Sequence, residues 1–186
     1  FINLYIAGEA GVKTDSGEYK LASFLDEQRM SRLYEKFILE YYVQECPQVT
    51  ATASQIPWAL DDGIGTLLPV MQSDITLTKG NTVLIIDAKY YAHTTQTQYE
   101  THTLHSGNLY QIFTYVKNKA AEFVNKPHMV SGMLLYAATD EAIQPNHSYQ
   151  MSGNRISVRT LDLNQEFSEI AAQLNAIVLE HFGETL

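Results

Sequence analysis

Cysteine is almost absent: Cys46 is the only one in 186 residues. A lone cysteine excludes an internal disulfide and fits a chain kept in a reducing cytoplasm. No apolar run is long enough to span a bilayer, and no signal peptide is present, so neither a membrane span nor secretion is expected. Positive charge is also scarce. Twelve Lys and Arg stand against 21 Asp and Glu, a net charge of −9, and this argues against strong autonomous affinity for nucleic acid, which rests on cationic side chains releasing counterions. A chain of this charge that acts on nucleic acid needs to be delivered to it. There is no Gly-x-x-x-x-Gly-Lys phosphate loop and no obvious base-flipping pocket, so nucleotide hydrolysis and base recognition belong elsewhere. His93, His102 and His105 lack the partner cysteines and the spacing of a zinc site and read as loop residues.

The residues that are present build a core. With 45% hydrophobic residues, a chain of this length supports one domain over 1–186, without internal repeats. Residues 1–28, punctuated by Gly8, Gly11 and Gly17, read as a lead-in with turns, and Phe1 in place of an initiator methionine suggests a fragment of a longer protein. Met30, Leu33, Tyr34, Phe37, Ile38, Tyr41 and Tyr42 follow the i, i+3, i+4, i+7 stripe of an amphipathic helix over 29–45. A strand is expected over 48–58, a turn at Asp61-Asp62-Gly63, and paired strands over 66–78 and 82–91. The polar stretch 92–106 reads as a loop, followed by a helix over 107–124, a buried strand over 128–138, a hairpin across Ser152-Gly153-Asn154 within 149–161, and a closing helix over 163–182.

Chemistry concentrates on the paired strands. Gly80-Asn81 suits a two-residue hairpin loop because both residues tolerate positive φ. Such a loop pairs residues whose numbers sum to about 161, by the hairpin rule. Lys79 then faces Thr82, and Asp74 faces Asp87. Directly opposed Cβ atoms lie about 4.5–5.5 Å apart, where like charges destabilise. Strand parity adds Lys89 to the face of Ile85 and Asp87, with Leu84, Ile86 and Ala88 on the other face. Two carboxylates and an ammonium at the end of an apolar run are costly unless paired or metal-bound. A divalent cation such as Mg²⁺ satisfies them, leaving Lys89 to orient water or screen charge. An Asp–Lys salt bridge on an exposed sheet face is the structural alternative.

Two helices offer further polar groups. Glu35 lies at the border of the stripe beside Ile38 and Tyr42, where its carboxylate either reaches inward or stays solvated. Asn108, Gln111 and Tyr115 share one face of the helix after Ser106-Gly107, turned toward a ligand or the carboxylates, or else forming an ordinary polar surface.

At this point the chain resembles the McrC family, the cleavage subunits of methylcytosine-dependent (type IV) restriction systems, a branch of the PD-(D/E)xK nuclease superfamily. The resemblance runs through Arg29 to Phe37, Leu68 to Ile75, Leu84 to Tyr91 and Gly107 to Tyr115, in order, across most of residues 20–135. It implies an α/β (α+β) restriction-endonuclease-like core with a central mixed sheet flanked by helices. It also implies that Asp74, Asp87 and the Ala88 carbonyl are ligands of Mg²⁺, for which Mn²⁺ would substitute. Lys89 would position the attacking water, and Glu35 would be the helix acid that assists the metal. Gln111 and Tyr115 match a Gln-x-x-x-Tyr helix motif that contacts DNA or supports the site, with Asn108 beside them. Ser73 rather than Pro precedes Asp74, and Asp87 stands where Glu is commoner. The implied partner is an McrB-like ring-forming AAA+ GTPase hexamer, engaged through a region N-terminal to this chain. Two readings follow: a metal-dependent DNA endonuclease, or a catalytically silent nuclease-like module that assembles on the motor.

Overall fold

The computed structural model describes residues 16–91, 95–98, 101–142 and 144–183. The apolar stripe builds helix α1 (Ser16–Glu45). It begins earlier than its periodicity predicts: residues 16–28, expected as a lead-in with turns, continue the helix, while 1–15 lie outside the described residues. Gly17 sits in the first turn, where a glycine costs little because the helix already lacks its backbone hydrogen bonds there. Tyr34, Ile38, Tyr41 and Tyr42 are buried as the stripe predicts, but Leu33 is exposed because it lies at the stripe's outer margin.

The expected strand over 48–58 divides into β1 (Thr50–Thr52) and β2 (Gln55–Ile56), and β2 pairs with β3 (Met71–Gln72) in a separate two-stranded ribbon. Next come β4 (Ile75–Lys79) and β5 (Thr82–Lys89), paired antiparallel with Lys79 opposite Thr82 and Ile75 opposite Ile86. This is the anticipated register. The turn itself differs in one respect: Gly80 has φ 59° while Asn81 is not among the residues with positive φ, so the loop needs left-handed backbone only at its glycine. The segment 92–106, expected as a loop, contains the hairpin β6 (Thr95–Gln98) and β7 (Thr101–Leu104). Its alternating Thr and Gln residues supply the strand propensity that polarity obscured.

Helix α2 (Ser106–Ala121) crosses from β5 to β8 (Met129–Ala137), which pairs parallel to β5. The turn at Ser152-Gly153 joins β9 (His147–Met151) to β10 (Asn154–Leu161), and α3 (Phe167–Phe182) closes the chain. The main sheet has six strands in the order β1-β4-β5-β8-β10-β9. It is mixed: β5, β8 and β10 run parallel, and β4 and β9 run against them.

Strand parity divides the core between two faces. Leu84, Ile86, Ala88, Met133 and Leu135 pack with α1 and α3 through Tyr34, Ile38, Tyr42, Leu174 and Val178. Val83, Ile85, Val130, Leu134, Tyr136 and Ile156 pack with α2 through Ile112, Tyr115 and Val116. Each fully buried branched side chain contributes about 1.5–3 kcal/mol. Gly132 sets how closely α2 approaches: a Cβ there would lie 2.7 Å from Ile112 Cγ1 and 2.8 Å from Val116 Cγ2. This mixed sheet with helices on both faces is consistent with a restriction-endonuclease-like core. No described helix is long and apolar enough to cross a membrane.

Candidate active site

The hairpin brings its two carboxylates together at the open end of the sheet. Asp74 immediately precedes β4, so the paired ladder stops one residue short of it at Ile75. Its Oδ2 is then free to accept a hydrogen bond from the Ala88 backbone N–H at 2.8 Å. In an extended strand the N–H and C=O of one residue point to the same edge. The Ala88 carbonyl therefore turns toward the edge on which Asp74 lies.

Asp87 is only 2% exposed, and Lys89 Nζ approaches its Oδ2 at 2.9 Å. This ammonium is the partner that the described residues give the buried Asp87 Oδ2. Burial pushes the Asp87 carboxyl up to about 7; the Lys89 ammonium opposes that rise and the Asp74 carboxylate adds to it. Burial alone would lower the Lys89 pKa, but the Asp87 carboxylate outweighs it and the ammonium is held above its ordinary value. The Asp–Lys pair expected on an exposed face as the structural alternative thus forms, but it is buried. One ammonium there serves two neighbouring carboxylates, and Asp74 is held in addition by the Ala88 N–H.

Helix α2 fixes Lys89 from above. Lys89 Nζ donates to Gln111 Oε1 at 3.3 Å, and Gln111 Nε2 donates to the Tyr115 hydroxyl at 3.0 Å. The spacing of four that put Gln111 and Tyr115 on one face makes this relay, which also fixes which end of the amide meets the ammonium. Asn108 is buried but reaches different partners: its Nδ2 donates to the Tyr136 hydroxyl at 2.9 Å, and the Tyr91 hydroxyl donates to its Oδ1 at 3.4 Å. Tyr136 was not legible as a site residue. Within Leu134-Leu135-Tyr136 it reads as core, and only the parallel register, which pairs it with Lys89, brings its phenol beside the site.

Glu35 reaches inward from α1. It is half-buried, and its carboxyl is raised by burial and then by the Asp74 charge, against the lowering effects of Lys89 and Arg32. Among the described residues no three His, Cys, Asp or Glu side chains converge on one point suited to an ion, so Glu35 stands back from the aspartate pair. Of the three histidines, His93 and the side chain of His102 lie outside the described residues. His105 precedes the first turn of α2, with its ring edge-on to Tyr91 at 5.5 Å.

A family model described as "McrBC 5-methylcytosine restriction system component" matches residues 6–137. The chain belongs to this McrBC family. Within it the chain is McrC-like: it is 33% identical over 171 residues to the type IV methyl-directed restriction enzyme EcoKMcrBC of Escherichia coli strain K12. That match covers 90% of this chain and 48% of the relative, so the chain spans about half the relative's length. Glu35, Asp74, Asp87, Lys89, Asn108, Gln111 and Tyr115 all fall inside the span matched by the McrBC model, whereas β9, β10 and α3 lie beyond it.

Proposed function

We propose that this chain is the DNA-cutting part of a type IV restriction system: a Mg²⁺-dependent endodeoxyribonuclease delivered to modified DNA by an McrB-like, GTP-driven AAA+ motor. The single observation that carries the reading is the buried Asp87 carboxylate, near enough to Asp74 for that charge to push its pKa up, with Lys89 as its ion-pair partner. Two adjacent carboxylates repel an anionic phosphodiester unless a cation lies between them. Hard divalent cations favour one or two carboxylates plus carbonyl, water and phosphate oxygens, and this donor set fits that description. Asp74, Asp87 and the Ala88 carbonyl would hold the ion, with Glu35 assisting from outside the pair. When bound, Mg²⁺ would supply Lewis-acid polarisation of the phosphoryl oxygen and acidify water at the site.

The rest of the chemistry falls to side chains of the chain. Lys89, held between Asp87 and Gln111, presents an N–H to the attacking water and screens charge that builds on the phosphate oxygens. The water oxygen forms a new bond to phosphorus as its proton passes to a carboxylate, and the P–O bond to the leaving strand breaks as that oxygen gains a proton. Gln111 and Tyr115 keep the ammonium aimed, and Asn108 supports the mouth of the site. The low positive charge of the chain fits dependence on a motor for DNA delivery. The lone cysteine fits the cytoplasmic location that this reading implies.

Cleavage of methylated duplex DNA by the whole protein with its motor and GTP tests this reading. Asp74→Asn, Asp87→Asn and Lys89→Ala are each expected to lose at least about a hundredfold in rate, the scale seen when one group that stabilises transition-state charge is removed. Assembly with the motor should persist in all three. Full cleavage by these variants would move the assembly-module reading to the front.

A further inference from the structure

Tyr91 is an aromatic ring fixed in place and left open at the mouth of the site. It lies two residues beyond Lys89, just past the end of β5, and its contacts with Asn108 and Tyr136 turn it toward the α2 side of the sheet. Three neighbours determine its position. Its hydroxyl donates to Asn108 Oδ1, its ring meets His105 edge-on at 5.5 Å, and it leans on Tyr136 at 6.1 Å. The supports are themselves rigid: Asn108 is 8% exposed and bonded to Tyr136, which is fully buried. Even so, 36% of Tyr91 remains exposed. A surface tyrosine with no role beyond packing needs no such buried polar anchor, because water would satisfy its hydroxyl. Here the anchor removes the ring's rotational freedom before any ligand arrives, which is the condition under which an aromatic binds with little ordering cost.

We propose that Tyr91 is a substrate-contact residue, whose ring packs against the nucleotide adjoining the phosphate held at Lys89, and that Asn108 and Tyr136 are positioning residues that act through it. The inference rests on the nuclease reading for the identity of the substrate. The chemistry that recognises the ring is that of a nucleotide: every base has a π-face and every deoxyribose an apolar face, so the contact tolerates any sequence. It also offsets part of what the chain lacks, since an aromatic contact adds affinity without positive charge. Sequence independence is what a cutting subunit needs when base recognition lies elsewhere.

The test is equilibrium binding of a short fluorescent DNA duplex by the whole protein, in Ca²⁺ to hold cleavage off. Wild type is compared with Tyr91→Ala, Tyr91→Leu, Tyr91→Phe and Asn108→Ala. Tyr91→Leu keeps the packing against Tyr136 without the π-face and so guards against misfolding in the alanine variant. Loss of the ring is expected to weaken binding on the order of tenfold in both Ala and Leu, the usual scale for one aromatic–base contact. Phe and Asn108→Ala each remove the hydroxyl anchor but keep the ring that meets the DNA, so both should weaken binding by less than the Ala and Leu variants do. Mn²⁺ binding measured by calorimetry without DNA should be unchanged in all four. Wild-type affinity in Tyr91→Leu, a Phe variant as weak as Ala, or a wild type that binds no DNA would each overturn the inference. The nuclease reading fails separately: DNA affinity that depends on Tyr91, in a protein that never cuts when Mg²⁺ replaces Ca²⁺, would sink catalysis and leave the contact standing.

Discussion

Replacing Asp87 by Asn should stabilise the metal-free protein, a direction opposite to that of most substitutions of a buried, ion-paired residue. The carboxyl rises from its ordinary 3.8 to about 7 on folding. A folded value raised above the unfolded one means that the fold favours the protonated form. Its contribution to stability is fully present below the unfolded pKa and is lost as pH climbs through about 7. Each unit is worth about 1.4 kcal/mol, so above neutrality the fold carries an ionised carboxylate at a cost on the order of 4 kcal/mol. Asn cannot ionise and removes that cost, but it also deprives Lys89 of its charged partner. The raised value already includes the Lys89 attraction, so that loss is not subtracted again, and the gain is a rise of several degrees in Tm for a chain of this size. The assay is thermal melting in chelator at about pH 8 and about pH 5, either side of the folded pKa. The gain should be full at the higher pH and well under half as large at the lower, disappearing only below the unfolded value of 3.8, where the carboxyl is protonated in both states. An Asp87→Asn protein that is destabilised equally at both would refute the reasoning, since it would show that Lys89 alone satisfies the carboxylate.

Other expectations follow from the same geometry. Mn²⁺ affinity should fall about tenfold per pH unit below the folded pKa of Asp87, because the ligand must first lose its proton, and should level off above it; calorimetry across that range checks the slope. Gln111→Ala removes the acceptor that aims Lys89 and should slow cleavage about tenfold while Mn²⁺ binding persists, so a parallel loss of metal affinity would contradict the positioning role. Gly132→Ala drives a methyl into Ile112 and Val116, lifting α2 from the sheet at a cost of about 1–3 kcal/mol. An unchanged Tm in that variant would show that the helix is not seated as described.

Much of the site is local in sequence and was legible for that reason. A two-residue turn fixes hairpin register by counting, so Gly80-Asn81 sufficed to set the pairing up to Ile75 and Ile86, the neighbours of Asp74 and Asp87. The three-and-four spacing of Asn108, Gln111 and Tyr115 gave their common helical face in the same way. What was illegible depends on long-range packing. The burial that turns an ordinary Asp–Lys pair into a strained one comes from α2 and β8 covering β5, and no spacing rule reports it. Tyr136 enters the site only through parallel pairing across a helical crossover, and Tyr91 is fixed only once α2 docks. Residues 16–28 look like a lead-in because their glycine and polar residues interrupt the stripe, yet the helix propagates back through them from the packed turns that follow. The hairpin at β6 and β7 escaped for the opposite reason, being too polar to show an alternating pattern.

Asp74 and Asp87 are proposed to form a divalent-cation centre. Calorimetric titration of Mn²⁺ into the protein with a short DNA duplex present, for wild type and for Asp74→Asn, tests it most directly. Saturable binding is expected in wild type and its loss in the variant, with the variant still folded by its thermal melt. Equal binding in both proteins would put the metal elsewhere, and no binding in wild type would leave the aspartate pair without the ion that explains it.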